Sequence, residues 1–223
     1  MRSRGGKVRL KTSPQVLRQA GILLADLPPG APGQAPPLLD LPGIFANRRP
    51  VEVEIGPGKG GFLIARAARR PEINLLGIEW LFSYACYAAD RASRAELTNV
   101  RLLCAEAGEV FAHHLPDQSV WRVHIYFPDP WPKKRHHRRR LITPAFLADA
   151  RRALKLGGEL RIVTDHEDYF QHIRGALDQT AGLAQVACRG ADPGGADCVE
   201  TNFQRKYAAR GKTFHAVAAI RCR

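Results

Sequence analysis

VEVEIGPGKGGF, residues 51–62, decides the fold: Glu54 stands near the end of a buried strand, and Gly56, Gly58 and Gly60 lead from it into the next helix. Glycines alternating through a strand-to-helix turn let a ligand approach the backbone closely, although a tight turn alone shows the same spacing. Outward from this point strand and helix patterns alternate. Strands are predicted over 51–55, 74–79, 100–104 and 120–126, with helices over 60–69 and 82–94 and a short one over 107–113. Thr143 and Pro144 form an N-cap with proline at the first helical position, opening a helix to about Lys155 that stops at Gly157 and Gly158. A strand over 159–164, a helix over 167–177 and a terminal strand over 214–222 follow. Repeated βα units with short loops predict an α/β fold, a doubly wound and mostly parallel sheet with an antiparallel terminal strand.

The other informative stretch is FPDPWPKKRHHRRR, residues 127–140, directly after the 120–126 strand. Asp129 therefore stands beyond a strand's carboxyl end, where open α/β sheets place their ligands. Pro128, Pro130 and Pro132 fix their own φ angles and favour extended backbone at the residues before them, which would hold Asp129 and Trp131 in defined directions. Lys133 to Arg140 then carries six Lys or Arg among eight residues. A carboxylate beside a phosphate-binding strip suggests chemistry on a nucleic acid; a solvated charge run is the alternative. Glu79 and Glu106 end the second and third predicted strands, so three acids sit at successive strand ends.

Composition agrees. The chain has 223 residues, 45% of them hydrophobic, and a formal charge of +13, which draws it to polyanions, nucleic acid before an anionic membrane. No apolar run reaches the roughly 18 residues of a membrane span, and no secretory signal pattern opens the chain, so a cytoplasmic protein is expected. Five scattered cysteines point to reduced thiols and form no metal knuckle, and the adjacent pairs His113-His114 and His136-His137 lack metal-ligand spacing. Residues 1–48 read as a basic arm and a Pro/Gly-rich linker, and 49–223 as the catalytic domain; residues 28–43, with six prolines and three glycines, are expected to hold no helix.

E-x-G-x-G-x-G at 54–60 resembles the first motif of class I methyltransferases that use S-adenosylmethionine, and the whole pattern resembles the bacterial tRNA (guanine-N7-)-methyltransferase family. GIEW, FPDPWPKKRHHRRR, the TPAF helix start, LKLGGELRIVTDHEDY and ETNFQRK stand in that family's order and spacing over most of residues 51–214, whereas the first fifty residues match poorly. The resemblance implies a Rossmann-like methyltransferase sheet, S-adenosylmethionine as cofactor and tRNA as partner, with the target guanine in the variable loop. It implies cofactor contacts from Glu54, Gly56, Gly58, Glu79, Glu106 and Asp129, with Asp129 also the active-site residue. It implies substrate contacts from Lys133, Asp165, Thr201, Asn202, Phe203 and Gln204, where Gln204 departs from the family's T-x-F-E by losing a charge.

A cationic cofactor makes the acids intelligible. Glu54 would face its cationic groups, Glu79 lies 25 residues further on, near the roughly 20-residue interval at which a carboxylate reaches ribose hydroxyls, and Glu106 would accept a hydrogen bond from the adenine amino group. Guanine N7 already presents a lone pair, so alignment rather than proton removal is the task. Trp131 and Phe203 are candidate stacking surfaces. Two alternatives remain open in the sequence: methylation of an exocyclic amino nitrogen, which DPWP loosely resembles with one proline too few, and a non-catalytic RNA-binding module on the same fold. Monomer and dimer are equally compatible with it.

Overall fold

The computed structural model describes residues 21–23, 36–186 and 214–223. Eight strands form one sheet: β1 (Gly21–Leu23), β2 (Val51–Ile55), β3 (Asn74–Glu79), β4 (Val100–Cys104), β5 (Val120–Tyr126), β6 (Leu154–Thr164), β7 (Leu183–Val186) and β8 (His215–Arg221). Their order is β1-β4-β3-β2-β5-β6-β8-β7. β1 to β6 pair in parallel, and β8 runs antiparallel to both β6 and β7. From β2 the chain adds β3 and β4 on one side, then returns to add β5 and β6 on the other. The carboxyl ends of β2 and β5 therefore flank the point where the winding reverses, the place at which open α/β sheets bind their ligands.

The helices are α1 (Leu41–Phe45), α2 (Gly61–Arg69), α3 (Phe82–Arg94), α4 (Ala107–Glu109), α5 (Pro144–Ala153) and α6 (Glu167–Asp178). One sheet face carries Val53, Ile55, Ile78, Val123, Ile125 and Ile162 against α5 and α6, whose Leu147, Ala150, Tyr169 and Ile173 complete the larger core. The opposite face of β3 and β4, through Leu75, Val100 and Leu102, packs against Leu63, Ala67, Ala88 and Ala92 of α2 and α3. Apolar residues on both faces are what a parallel sheet covered on both sides requires.

Several boundaries differ from expectation. Residues 41–45 form a one-turn helix inside the Pro-rich stretch: Asp40 accepts from the Gly43 N–H at 3.1 Å, and Pro42 occupies the first turn, where its missing N–H is not needed. Leu39, Leu41 and Phe45 are buried, so the packed core begins before residue 49. α5 ends at Ala153 rather than near Lys155, because Leu154 is fully buried and pairs with Val120 in the sheet. Gly157 and Gly158 then lie in an irregularity of β6, between the pairings of Leu154 with Val120 and of Glu159 with Arg122. α4 passes into a π-helical turn, Val110–His114, where the buried His114 meets the Pro37 carbonyl at 2.9 Å. β1 and β7, each too short to show a period, complete the sheet edges.

Candidate active site

The β2–α2 turn is built for close approach. Gly56 and Gly58 have φ of +66° and +54°, a region that disfavours side chains, and a Cβ on either would meet no atom within 4 Å. Glu79, at the end of β3, clamps this turn: one carboxylate oxygen accepts from Gly58 N–H and the other from Leu81 N–H, both at 2.9 Å. Each oxygen keeps a lone pair for a further donor. Glu54 is 4% exposed, and its Oε2 has no hydrogen-bond partner among the described residues. Burial pushes its carboxyl up to about 8; the Leu63 N–H opposes this and the charge of Glu79 adds to it. A buried oxygen without a donor beneath an open glycine turn is suited to a cationic group.

Across the switch point, β5 ends in the loop that carries Asp129, which is exposed. Phe127 and Trp131 each precede a proline, yet have φ of +53° and +45° rather than the expected extended values. Such backbone is strained and persists only where surrounding contacts impose it. Arg139 lies 4.9 Å over the Trp131 ring and His136 packs at its edge, so one Trp131 face is already occupied. The cationic strip forms a 3-10 helix, Lys134–Arg139, with Lys133 at its start; Lys133, Lys134, Arg135, Arg138 and Arg139 are exposed. Arg140 departs from the expectation that the whole strip meets phosphate. Its side chain is 2% exposed and engages Pro130 and Asp168.

Glu106, exposed at the end of β4, caps α4 by accepting the Glu109 N–H at 2.8 Å through Oε2. Asp165, also exposed, stands at the end of β6 directly before α6, which His166 caps by accepting the Tyr169 N–H. The fold thus brings Glu54, Glu79, Glu106, Asp129 and Asp165 to one sheet edge. Thr201, Asn202, Phe203 and Gln204 lie outside the described residues. Trp80 and Phe82, 68% and 59% exposed, form an apolar rim next to Glu79.

Sequence reasoning missed a polar network below the switch point. Glu52 accepts from Arg66 Nε at 3.0 Å and Nη2 at 2.9 Å, meets His124 Nε2 at 2.8 Å, and receives Arg122 at 3.3 Å. Burial alone would raise the Glu52 carboxyl, but the bonds from His124 and Arg66 outweigh it and hold the group far below the usual range. Burial lowers His124 despite Glu52, which favours neutral imidazole. An ionised Glu52 only accepts, so Nε2 carries the proton and Nδ1 accepts from Tyr126 O–H at 3.0 Å. Phe62, the first large residue after the glycine turn, packs on both rings at 4.8 and 4.7 Å. The signal was present: V-E-V-E alternation puts Glu52 and Glu54 on one strand face, so an acid pair and not a single acid had to be accommodated.

A family model described as "Putative methyltransferase" matches residues 48–217. A tRNA (guanine-N(7)-)-methyltransferase of Alkalilimnicola ehrlichii is 40% identical over 179 residues, covering 78% of this chain and 73% of that protein. A protein of the same name from Vibrio cholerae is 42% identical over 158 residues, covering 70% of this chain and 65% of its own length; one from Geobacillus thermodenitrificans is 35% identical, covering 80% and 82%. Among solved structures, the antibiotic-resistance methyltransferase Kmr superposes with a TM-score of 0.57 at 16% identity, covering 82% of this chain and 92% of that one. The YcgJ protein of Bacillus subtilis does so with 0.54 at 14%, covering 79% and 93%. These two likenesses establish the methyltransferase-type sheet, while the sequence relatives and the matched model go further: the chain belongs to the tRNA (guanine-N(7)-)-methyltransferase family.

Proposed function

We propose that this protein transfers a methyl group from S-adenosylmethionine to N7 of a guanine in the variable loop of tRNA, acting in the cytoplasm. The observation that carries the reading is a juxtaposition at the β2/β5 switch point. A glycine turn over the unpartnered Glu54 oxygen faces an acid-bearing loop that runs straight into an exposed cationic helix.

The residues present fit the cofactor. Glu54 Oε2 would accept a hydrogen bond from its amino group, Glu79 would accept from ribose hydroxyls with the lone pairs left over from Gly58 and Leu81, and Gly56 and Gly58 leave room for close approach. Glu106 has Oε1 left to accept from the adenine amino group. When bound, the cofactor supplies a methyl group activated on a sulfonium. Lys133 and the exposed arginines of the 3-10 helix bind phosphates, which places the RNA against the Asp129 loop. Asp129 and Asp165 accept guanine N–H donors and set negative charge beside a purine that becomes cationic as N7 forms its new bond. Thr201 to Gln204 complete the substrate contacts. No proton need leave N7, so no general base is assigned.

Incubating the protein with bulk tRNA and radiolabelled cofactor, then separating nucleosides, tests the reading. Label in 7-methylguanosine is the expected result. Label in an N-methylated exocyclic amine, or none, overturns it.

A further inference from the structure

The last residue of the cationic strip does something its neighbours do not. Arg140 follows the 3-10 helix, and its backbone N–H closes that helix on the His137 carbonyl at 3.0 Å. Its side chain turns inward. Nε donates to the Pro130 carbonyl at 2.9 Å, Nη2 pairs with Asp168 at 2.5 Å, and the guanidinium lies 4.8 Å over the Tyr169 ring. Tyr169 is fully buried, and its hydroxyl accepts the Ile142 N–H at 3.2 Å. Three anchors of different kinds therefore fix one planar group, which a point-charge ammonium cannot match.

What those anchors join is informative. Pro130 lies between Asp129 and Trp131, in a loop with two residues at positive φ before prolines, a shape that needs outside support. Asp168 and Tyr169 belong to the first turn of α6, which begins two residues after Asp165. One guanidinium thus ties the loop bearing one acid to the helix that begins beside the other. We propose that Arg140 is a positioning residue, which holds the strained Asp129 loop in place and fixes it relative to Asp165, and that it makes no contact with RNA phosphate. The proposal rests on the methyl-transfer reading for its consequence in rate, but its structural half stands apart.

Arg140→Lys keeps the charge and loses the fork. At saturating tRNA and cofactor its single-turnover methylation should slow by about 10- to 100-fold, the scale of a reacting group misplaced by about an ångström. The slope of log affinity for tRNA against log salt should stay unchanged, whereas Arg138→Ala flattens it by about 0.9. Calorimetry should find cofactor affinity changed far less than the rate. In Arg140→Ala, low concentrations of guanidinium should raise the rate saturably; a variant merely weakened in its fold would lose activity under that denaturant instead. Asp168→Asn, at an exposed carboxylate that cannot unfold the core, should slow methylation in the same direction and add nothing in the Arg140→Lys background.

Independently of activity, 5-fluorotryptophan labelling gives three resonances for the three tryptophans. Arg140→Lys should broaden or split that of Trp131, identified by its loss in Trp131→Phe, and leave those of Trp80 and Trp121 in place. A full rate with a flattened salt slope would make Arg140 a phosphate contact and overturn the proposal, as would an unmoved Trp131 resonance. Absence of methylation by the unaltered protein would instead refute the proposed function, and the fluorine spectrum would still decide the role of Arg140.

Discussion

Glu54 should release a proton when the cofactor binds. Its carboxyl is pushed up to about 8, so near pH 6 only about 1% of the free protein carries the charge, and near pH 8 about half does. If a cationic amino group requires the ionised form, apparent affinity is reduced by that fraction, and it should tighten by about 50-fold between those pH values. Calorimetry in two buffers of different ionisation enthalpy, titrating S-adenosylmethionine near pH 6.5, should show close to one proton released. Glu54→Gln should abolish both the release and the pH dependence, binding about as weakly at pH 8 as the unaltered protein does at pH 6.

The same group sets a stability signature in the free protein. Its folded value lies above the unfolded one, so between the ordinary carboxylate range and about 8 the folded state holds a proton that the unfolded state lacks. Stability contributed by protonated Glu54 is complete below that window and is lost as pH rises through it, by roughly 1 kcal/mol per pH unit. Cofactor-free Glu54→Gln should lack this decline and be the more stable form near pH 8. Proton-neutral binding together with affinity flat from pH 6 to 8 would refute the reasoning and leave Glu54 a carboxyl that never meets a cation.

Glu79→Ala should weaken cofactor affinity by about 2 kcal/mol by calorimetry, since it removes a charge-assisted acceptor and frees the Gly58 and Leu81 N–H groups that shape the turn. Replacing Arg135 and Arg138 with Ala should flatten the salt dependence of tRNA binding by up to about 0.9 per lost phosphate contact while leaving cofactor affinity alone; an unchanged slope would make the helix a solvated face. Glu52→Ala should destabilise the protein by about 3 to 5 kcal/mol in urea titrations, because Arg66 and His124 would remain buried without their acceptor. Asp129→Asn should lower single-turnover methylation about 100-fold while affecting cofactor affinity less; a near-normal rate would shift the role to Asp165.

The central strands were legible because each is a short apolar run closed by a polar or glycine turn, and β2 to β5 fall where periodicity puts them. The acids at their ends were legible for the same reason, since parallel strands bring their carboxyl ends to one edge. What escaped depends on contacts distant in sequence. Leu154 looks like the tail of a helix until Val120 is placed beside it, and Arg140 looks like its five cationic neighbours until Tyr169 and Asp168, about thirty residues later, are placed beneath it. The proline rule failed at Phe127 and Trp131 for a related cause. Local preference describes a free loop, whereas this one is held by groups from the 3-10 helix and from beyond it.

That distribution of held and free charge resolves an apparent conflict in the site. A floor of acids should repel a polyanion, and a rim of arginines should repel a cationic cofactor, if both acted over the same space. Burial separates them. Glu54 and Glu79 are buried at the sheet edge, and burial pushes the Glu54 carboxyl up to about 8, so below that range Glu54 adds no second charge beside Glu79. The exposed cations sit on the 3-10 helix, one loop away, where water and salt screen them from the floor and leave them open to a phosphate at contact distance. Arg140 is the one strip cation drawn inward, and it meets Asp168 rather than the floor acids, which leaves Asp129 an exposed carboxylate between the two regions. On the proposed reaction, a group that must answer a positive charge developing on the substrate needs such a place: on a loop held from outside and, among the described residues, paired with no cationic side chain that would neutralise it.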